Sequence, residues 1–222
     1  MSVDSAPRDF PIPEIPSCLQ LRTVTKGLIP LAESKKLDNY RMGAHVCLWA
    51  RQEGRSMFGE YRAAVMMQLR FDGTFGFPGG LVDKGEDMMK GLNRELMEEI
   101  GWDPSAHPVT WSDYYSTQVA GDRKLVLHFF IKEVTLEQFI ALEKSCLQSR
   151  DYGKEVMGSI RVPLYTMDNM YNGLPAFLNN KFAGTSKQQL LLALHHSKLL
   201  TEHEISDVIL KSQNLKLAPN RF

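Results

Sequence analysis

Residues 80–102 read GLVDKGEDMMKGLNRELMEEIGW, and the rest of the chain is read outward from them. From Glu86 to Ile100 the apolar residues Met88, Met89, Leu92, Leu96 and Ile100 recur at spacings of three and four, which predicts a helix with one apolar stripe. Gly101 supplies a left-handed cap, and Pro104 prevents the helix from resuming. Glu95, Glu98 and Glu99 fall at i, i+3 and i+4, so three carboxylates share one face. Like charges at that spacing cost about 0.2–0.5 kcal/mol per pair. Taken alone, they read as a solvated acidic surface. A hard divalent cation is the other use of such a face, because it wants oxygen ligands and relieves the repulsion. The neighbouring residues have physical jobs of their own. Gly79-Gly80 lets the backbone approach a phosphate or metal closely. Glu86 suits the positive end of the helix, and Arg94 can fork onto a nearby carboxylate.

The chain has 222 residues, 43% of them hydrophobic and 23% charged, which fits one soluble globular domain. No apolar stretch approaches the roughly 20 residues that span a bilayer, so no membrane association is expected. The formal net charge is +0, which excludes a globally basic nucleic-acid binder but leaves room for a local basic rim. Arg123, Lys124, Lys181, Lys187 and Lys198 are candidates for that rim or ordinary solvated surface. Cys18, Cys47 and Cys146 are odd in number and scattered, as in a reducing compartment, and form no zinc motif. The N-terminus carries acids and prolines where a secretory signal would have an apolar core.

Residues 1–20, with Pro7, Pro11, Pro13 and Pro16, read as a flexible or extended arm, 21–217 as the folded domain and 218–222 as a tail. Residues 44–50 (AHVCLWA) and 62–71 (RAAVMMQLRF) read as buried strands. A turn at Asp72-Gly73 leads to a short strand at 75–77, and 110–119 and 124–132 read as two more strands. Residues 136–148 form an amphipathic helix opened by a capping box of Thr135 and Gln138. An apolar segment near 160–164 precedes closing helices at 186–200 and 203–212. Strands with helices before and after them predict an α/β (α+β) fold, a helix–sheet–helix sandwich with a mixed β-sheet.

Gly80, Glu86, Arg94, Glu95, Glu98, Glu99 and Gly101 stand at the spacing of the Nudix box, with Trp102 in place of its final aliphatic residue. The chain therefore resembles the Nudix hydrolases. The segments MMQLRFDGTFGFPGG (66–80), GLNREL (91–96), DYGKEVMG (151–158), RVPLYT (161–166) and GLPAFL (173–178) are similar to the snoRNA-decapping subfamily, which also hydrolyses inosine diphosphate. This likeness covers roughly residues 40–200.

The resemblance implies a metal-dependent pyrophosphohydrolase of RNA caps and of (deoxy)inosine diphosphate. It further implies Mg²⁺ (or Mn²⁺) as cofactor, a homodimer, and residence in the nucleus and cytoplasm. It implies that Glu95, Glu98 and Glu99, with the backbone of Gly79, ligate the metal, and that Glu98 is the base beside Arg94. Glu155 reads as an extra ligand, a general base or a solvated loop acid. His45, Arg70, Phe77 and Gln189 fall at substrate-contacting positions: a histidine for the base, an arginine for phosphate, a ring for stacking and a glutamine. Phe77 also reads as core, and Ser186 with Gln189 as a capping box. The stretch QQLLLALHHSKLL (188–200) reads equally as a dimer face or a buried helix. Within the family, ADP-ribose, a dinucleotide or a coenzyme A derivative is the alternative substrate. A non-catalytic RNA-binding or adaptor module is the reading from another class, and the intact Arg94, Glu95, Glu98 and Glu99 argue against it.

One position departs from the pattern. Gln118, in DYYSTQV (113–119), stands where the family has a histidine that contributes to the metal site. A neutral amide oxygen suits Mg²⁺ and serves Mn²⁺ or Co²⁺ less well. Gln118→His is therefore expected to raise the stimulation of hydrolysis by Mn²⁺ relative to Mg²⁺. Titrating both metals against both proteins checks this, and equal stimulation in the two would exclude the assignment.

Overall fold

The computed structural model describes residues 10–20 and 27–217; residues 1–9 of the expected arm and the tail 218–222 lie outside the described residues. Short elements lead in: α1 (Ser17–Gln20), β1 (Leu28–Ile29) and α2 (Leu31–Ser34). Next come β2 (Arg41–Arg51), a small hairpin of β3 (Arg55–Ser56) and β4 (Gly59–Glu60), β5 (Ala63–Arg70), β6 (Phe75–Gly76) and β7 (Gly79–Val82). The helix α3 (Met88–Ile100) is followed by β8 (Tyr114–Ala120), β9 (Leu125–Glu133), α4 (Leu136–Ser145) and β10 (Val156–Arg161). The chain closes with α5 (Leu174–Phe177), α6 (Ser186–His196) and α7 (Glu202–Leu217).

The central sheet has eight strands in the order β1-β8-β9-β2-β5-β10, with β6 paired to β5 and β7 to β2. Strands β2 and β9 run parallel and the other pairs antiparallel, so the sheet is mixed, as expected. The sequence of β2 explains its central place. It is apolar at successive positions, and the pleat sends Ala44, Val46, Leu48 and Ala50 to one layer and Cys47 and Trp49 to the other. The first layer is filled by Leu92, Leu96 and Ile100 of α3 and Phe139 of α4. The second is filled by Leu174 of α5, Leu190 and Leu194 of α6 and Ile205 of α7. The chain is thus a mixed α/β sandwich of helix, sheet and helix. Along β2 the antiparallel partner changes, from β7 at Met42–His45 to β5 at Trp49–Arg51.

Several local expectations need correction. Helix α3 starts at Met88 because Asp87 caps it, its carboxylate accepting from the amides of Met89 and Lys90. Glu86 lies just before the helix and not in its first turn. Gly101 does cap α3, at φ 67°. Residues 111–113 form a turn of 3-10 helix, so β8 starts later than expected. Helix α4 opens with the expected box of Thr135 and Gln138, whereas α6 has Thr185 at its N-cap with no side-chain cap, so Ser186 and Gln189 form no capping box. Leu190, Leu191, Leu192, Ala193 and Leu194 are all buried within this chain, so α6 is a core helix and its leucines are not free to serve as a dimer face. Of the segment expected as an arm, Ile15 and Leu19 are buried and the Phe10 ring lies 4.5 Å from that of Tyr114. Apolar residues between the prolines hold residues 10–20 on the domain. No helix among the described residues is long and apolar enough to cross a membrane.

Leu96 is fully buried on the stripe that seats α3, between glutamates at 95 and 98. Leu96→Ala should cost about 2–5 kcal/mol in urea unfolding. A loss below about 1 kcal/mol would show that this stripe does not anchor the helix.

Candidate active site

Gly79 and Gly80 run along α3 with no room for a side chain. A Cβ at Gly80 would lie 2.4 Å from Glu95 Oε2, and one at Gly79, where φ is +121°, would lie 2.2 Å from the carbonyl oxygen of Ala44. The same closeness lets the Gly79 amide donate to Glu99 Oε2 at 2.8 Å. The resemblance implies a metal contact from the Gly79 backbone; what the structure shows is the Gly79 amide, set on a carboxylate of the box.

Arg94 is the hub of the acidic face. Its Nε donates to Glu86 Oε1 at 3.0 Å and its Nη2 to Glu86 Oε2 at 3.1 Å, a two-pronged pairing. Its Nη1 reaches Glu95 Oε1 at 2.8 Å and Glu98 Oε2 at 3.4 Å. Glu86 therefore serves as an anchor for Arg94, and Arg94 is a positioning residue that sets the carboxylates. Glu98 has a second partner in Arg150, whose Nη1 lies 2.5 Å from Glu98 Oε1. Nothing in the sequence pattern signalled Arg150. It belongs to a loop tied to the last turn of α3, where Ser149 Oγ donates to the carbonyl of Glu99 at 2.8 Å and the Asp151 amide to that of Glu98 at 3.0 Å.

Glu99 is only 3% exposed, and its pKa is raised to about 8, first by burial and then by the charges of Glu95 and Glu155. Burial also raises the pKa of Glu95, against the pull of Arg94. Glu155 is exposed, in the same loop as Arg150, near enough to act on both. Among the described residues the acidic side chains are not drawn into a ready three-ligand cluster, since Arg94 and Arg150 hold oxygens of Glu95 and Glu98. The donor set nonetheless fits a hard divalent ion: it is all oxygen, crowded, and short of positive charge at Glu99.

The substrate candidates divide. Arg70, at the end of β5, is half-buried, and its Nε is buried with no hydrogen-bond partner among the described residues. Its charge acts on both His45 and Glu99, so these three come together beside the box. The pKa of His45 is lowered to about 4 by burial and by Arg70, so at neutral pH its ring is an uncharged hydrogen-bonding group. Phe77 does not join them. Its ring is 1% exposed and packed against Phe129 at 5.1 Å, so it has no free face on which to stack a base. Gln189 is buried one turn into α6, and its amide donates to the Thr185 carbonyl. The chain just before that helix does approach Arg70: a Cβ at Gly76 would lie 3.0 Å from Arg70 Cδ and 3.6 Å from Ala183 Cβ. Gln118 is buried on β8, in register with Leu127 of β9, itself in register with Gly43 of β2, so two strands separate it from β7. Of the lysines expected on a basic rim, Lys187 is turned inward, with Nζ 2.5 Å from the carbonyl of Leu178.

A family model described as "Nudt16-like: U8 snoRNA-decapping enzyme-like" matches residues 42–200, from β2 to beyond α6. The chain belongs to this Nudt16-like family of Nudix hydrolases. A U8 snoRNA-decapping enzyme of Mus musculus is 46% identical over 176 residues, covering 78% of this chain and 90% of that protein. The Xenopus laevis enzyme of the same name is 44% identical over 188 residues, 83% of this chain and 88% of the relative. A Tudor-interacting repair regulator protein of Homo sapiens is 37% identical over 195 residues, 83% and 90% of the two chains. Among solved structures, a MutT/nudix family protein from Enterococcus faecalis is similar with a TM-score of 0.47 at 13% identity, over 90% of this chain and 80% of that one.

The raised pKa of Glu99 has a consequence for the metal-free Nudt16-like chain. Below its unfolded value of 4.5 the carboxyl is protonated in both states and contributes nothing. As pH rises from 4.5 to about 8, the unfolded chain ionises first and the fold is progressively destabilised. In EDTA, Glu99→Gln should therefore be more stable than wild type at pH 8, by on the order of 4 kcal/mol. The gain should vanish near about pH 4. Parallel melting curves of both proteins at every pH would refute the assignment.

Proposed function

We propose that this chain hydrolyses the pyrophosphate bridge of capped RNA, and also (deoxy)inosine diphosphate, with Mg²⁺ or Mn²⁺ as cofactor. The observation that carries the reading is the intact Arg94 hub, which sets Glu95 and Glu98 beside a buried, nearly bare Glu99. Relatives named as U8 snoRNA-decapping enzymes, at 46% and 44% identity over most of both chains, support the substrate class. In this reading Glu95, Glu98 and Glu99 hold the divalent ion. The ion supplies positive charge for the phosphates and lowers the pKa of a water.

The chain's own groups do the rest. Arg70 offers its unpartnered Nε to a phosphate oxygen. His45 meets the base as a neutral ring, so it chooses by hydrogen bonding and not by charge. Glu98, set from two sides by Arg94 and Arg150, takes the proton of the attacking water. Glu155 borders the same space and adds negative charge that favours cation uptake.

Hydrolysis of methylguanosine-capped RNA, inosine diphosphate and ADP-ribose at fixed Mg²⁺ tests the reading. The first two should be cleaved faster than the third, and Glu98→Gln should lower kcat by about 10²–10⁴. Faster cleavage of ADP-ribose would reassign the substrate, and full activity in Glu98→Gln would overturn the site.

A further inference from the structure

Strand β5 carries a second anomaly two residues before Arg70. Gln68 is 1% exposed, and neither its Nε2 nor its Oε1 has a hydrogen-bond partner among the described residues. A buried amide with both ends unpaired is unfavourable, and a methionine or leucine of similar volume would not carry that cost. Such groups are explained by a ligand, a water or a functional demand.

The neighbours of Gln68 show which demand. By the alternation of β5, Gln68 shares the face of Ala64 and Met66, the face covered by α3. It is in register with Gly76 of β6 on one side and Ser159 of β10 on the other. Three residues after Gly76, the Gly79 amide holds the Glu99 carboxylate. On the other side, Ser159 Oγ donates to Cys146 Sγ at 3.0 Å. The Cys146 turn is bound to Ser149, whose hydroxyl reaches both the Cys146 carbonyl at 2.7 Å and the Glu99 carbonyl at 2.8 Å. One flank of Gln68 thus leads to the Glu99 carboxylate and the other to the Glu99 backbone carbonyl, and the Gly79 amide is the only hydrogen-bond donor on that carboxylate among the described residues.

We propose that Gln68 is a positioning residue of this site: its amide is kept unpaired for the Glu99 carboxylate, to hydrogen-bond and orient it when it ligates the divalent ion. The inference rests on the metal-dependent reading above. A neutral amide donor suits this task better than a cation, because it orients a carboxylate without cancelling the charge that attracts the metal.

Mn²⁺ uptake by the full chain, followed by loss of the free-ion electron paramagnetic resonance signal, tests this beside thermal melts in EDTA. Gln68→Leu should melt at or above the wild-type temperature while its Mn²⁺ Kd weakens at least tenfold. Unchanged Mn²⁺ affinity would assign Gln68 to the core and overturn the proposal. Gln68→Met, unbranched, repeats the comparison in case leucine does not fit; melting below wild type in both variants would also overturn it, by showing the amide already paired. Wild-type protein that takes up no Mn²⁺ would overturn the metal-dependent reading itself, with Glu99→Gln as the control that must lose binding.

Discussion

Where β7 passes α3, the Glu95 carboxylate lies over Gly80 where a Cβ would otherwise sit, and the rest of the site follows from that contact. A Cβ at Gly80 would overlap the Glu95 carboxylate, and one at Gly79 would overlap the β2 backbone. The contact costs conformational freedom at two glycines in the unfolded chain. In exchange, a backbone amide reaches Glu99, which is almost fully buried. Leu92, Leu96 and Ile100 hold α3 down from the sheet side, and the loop carrying Ser149 and Asp151 holds its last turn. The helix is thus held on its sheet face and at its C-terminal end.

Charge is distributed unevenly over that face. Glu86, Glu95 and Glu98 share Arg94, and Glu98 has Arg150 as well, so these three are largely compensated. The Arg150 side chain is 67% exposed, and solvent screening makes its pairing weak and exchangeable. Among the described residues Glu99 has no such partner, and the nearby negative charges of Glu95 and Glu155 raise its pKa further. The unfavourable electrostatics of the site are thus concentrated on its deepest carboxylate. That is where a divalent ion, with its own charge reversing the local pKa balance, gains most.

The sequence made α3, its Gly101 cap and the sheet strands legible because apolar periodicity and glycine position are local signals. The acidic face was legible for the same reason: i, i+3 and i+4 are one face of any helix. The helix starts two residues later than the periodicity predicts because Asp87 is its N-cap, its short carboxylate accepting from the Met89 and Lys90 amides. Phe77 could not be sorted between core and stacking surface from sequence, since an aromatic strand residue serves either; its contact with Phe129 across the sheet decides for core. Arg150 was illegible because its partner lies 52 positions away along the chain. The fate of α6 was equally hidden, because whether a leucine-rich helix faces its own sheet or another copy depends on tertiary packing that periodicity does not encode.

The polar residues inside β5 carry the same logic one step further. A strand reading Ala63-Ala64-Val65-Met66-Met67 has no folding reason to continue with Gln68 and, after Leu69, Arg70. Each has a buried side-chain nitrogen that lacks a partner among the described residues, and both lie on the part of the strand that leaves β2 and runs on toward the box. A core selected for stability alone would have replaced the amide with an apolar residue at no loss of packing. On the proposed reading, its retention on the α3 face of β5 keeps a donor for Glu99, whose carboxylate has the Gly79 amide as its only donor among the described residues. Seen this way, β5 is apolar where it builds the sheet and polar where it serves the site, and the change falls between Met67 and Gln68.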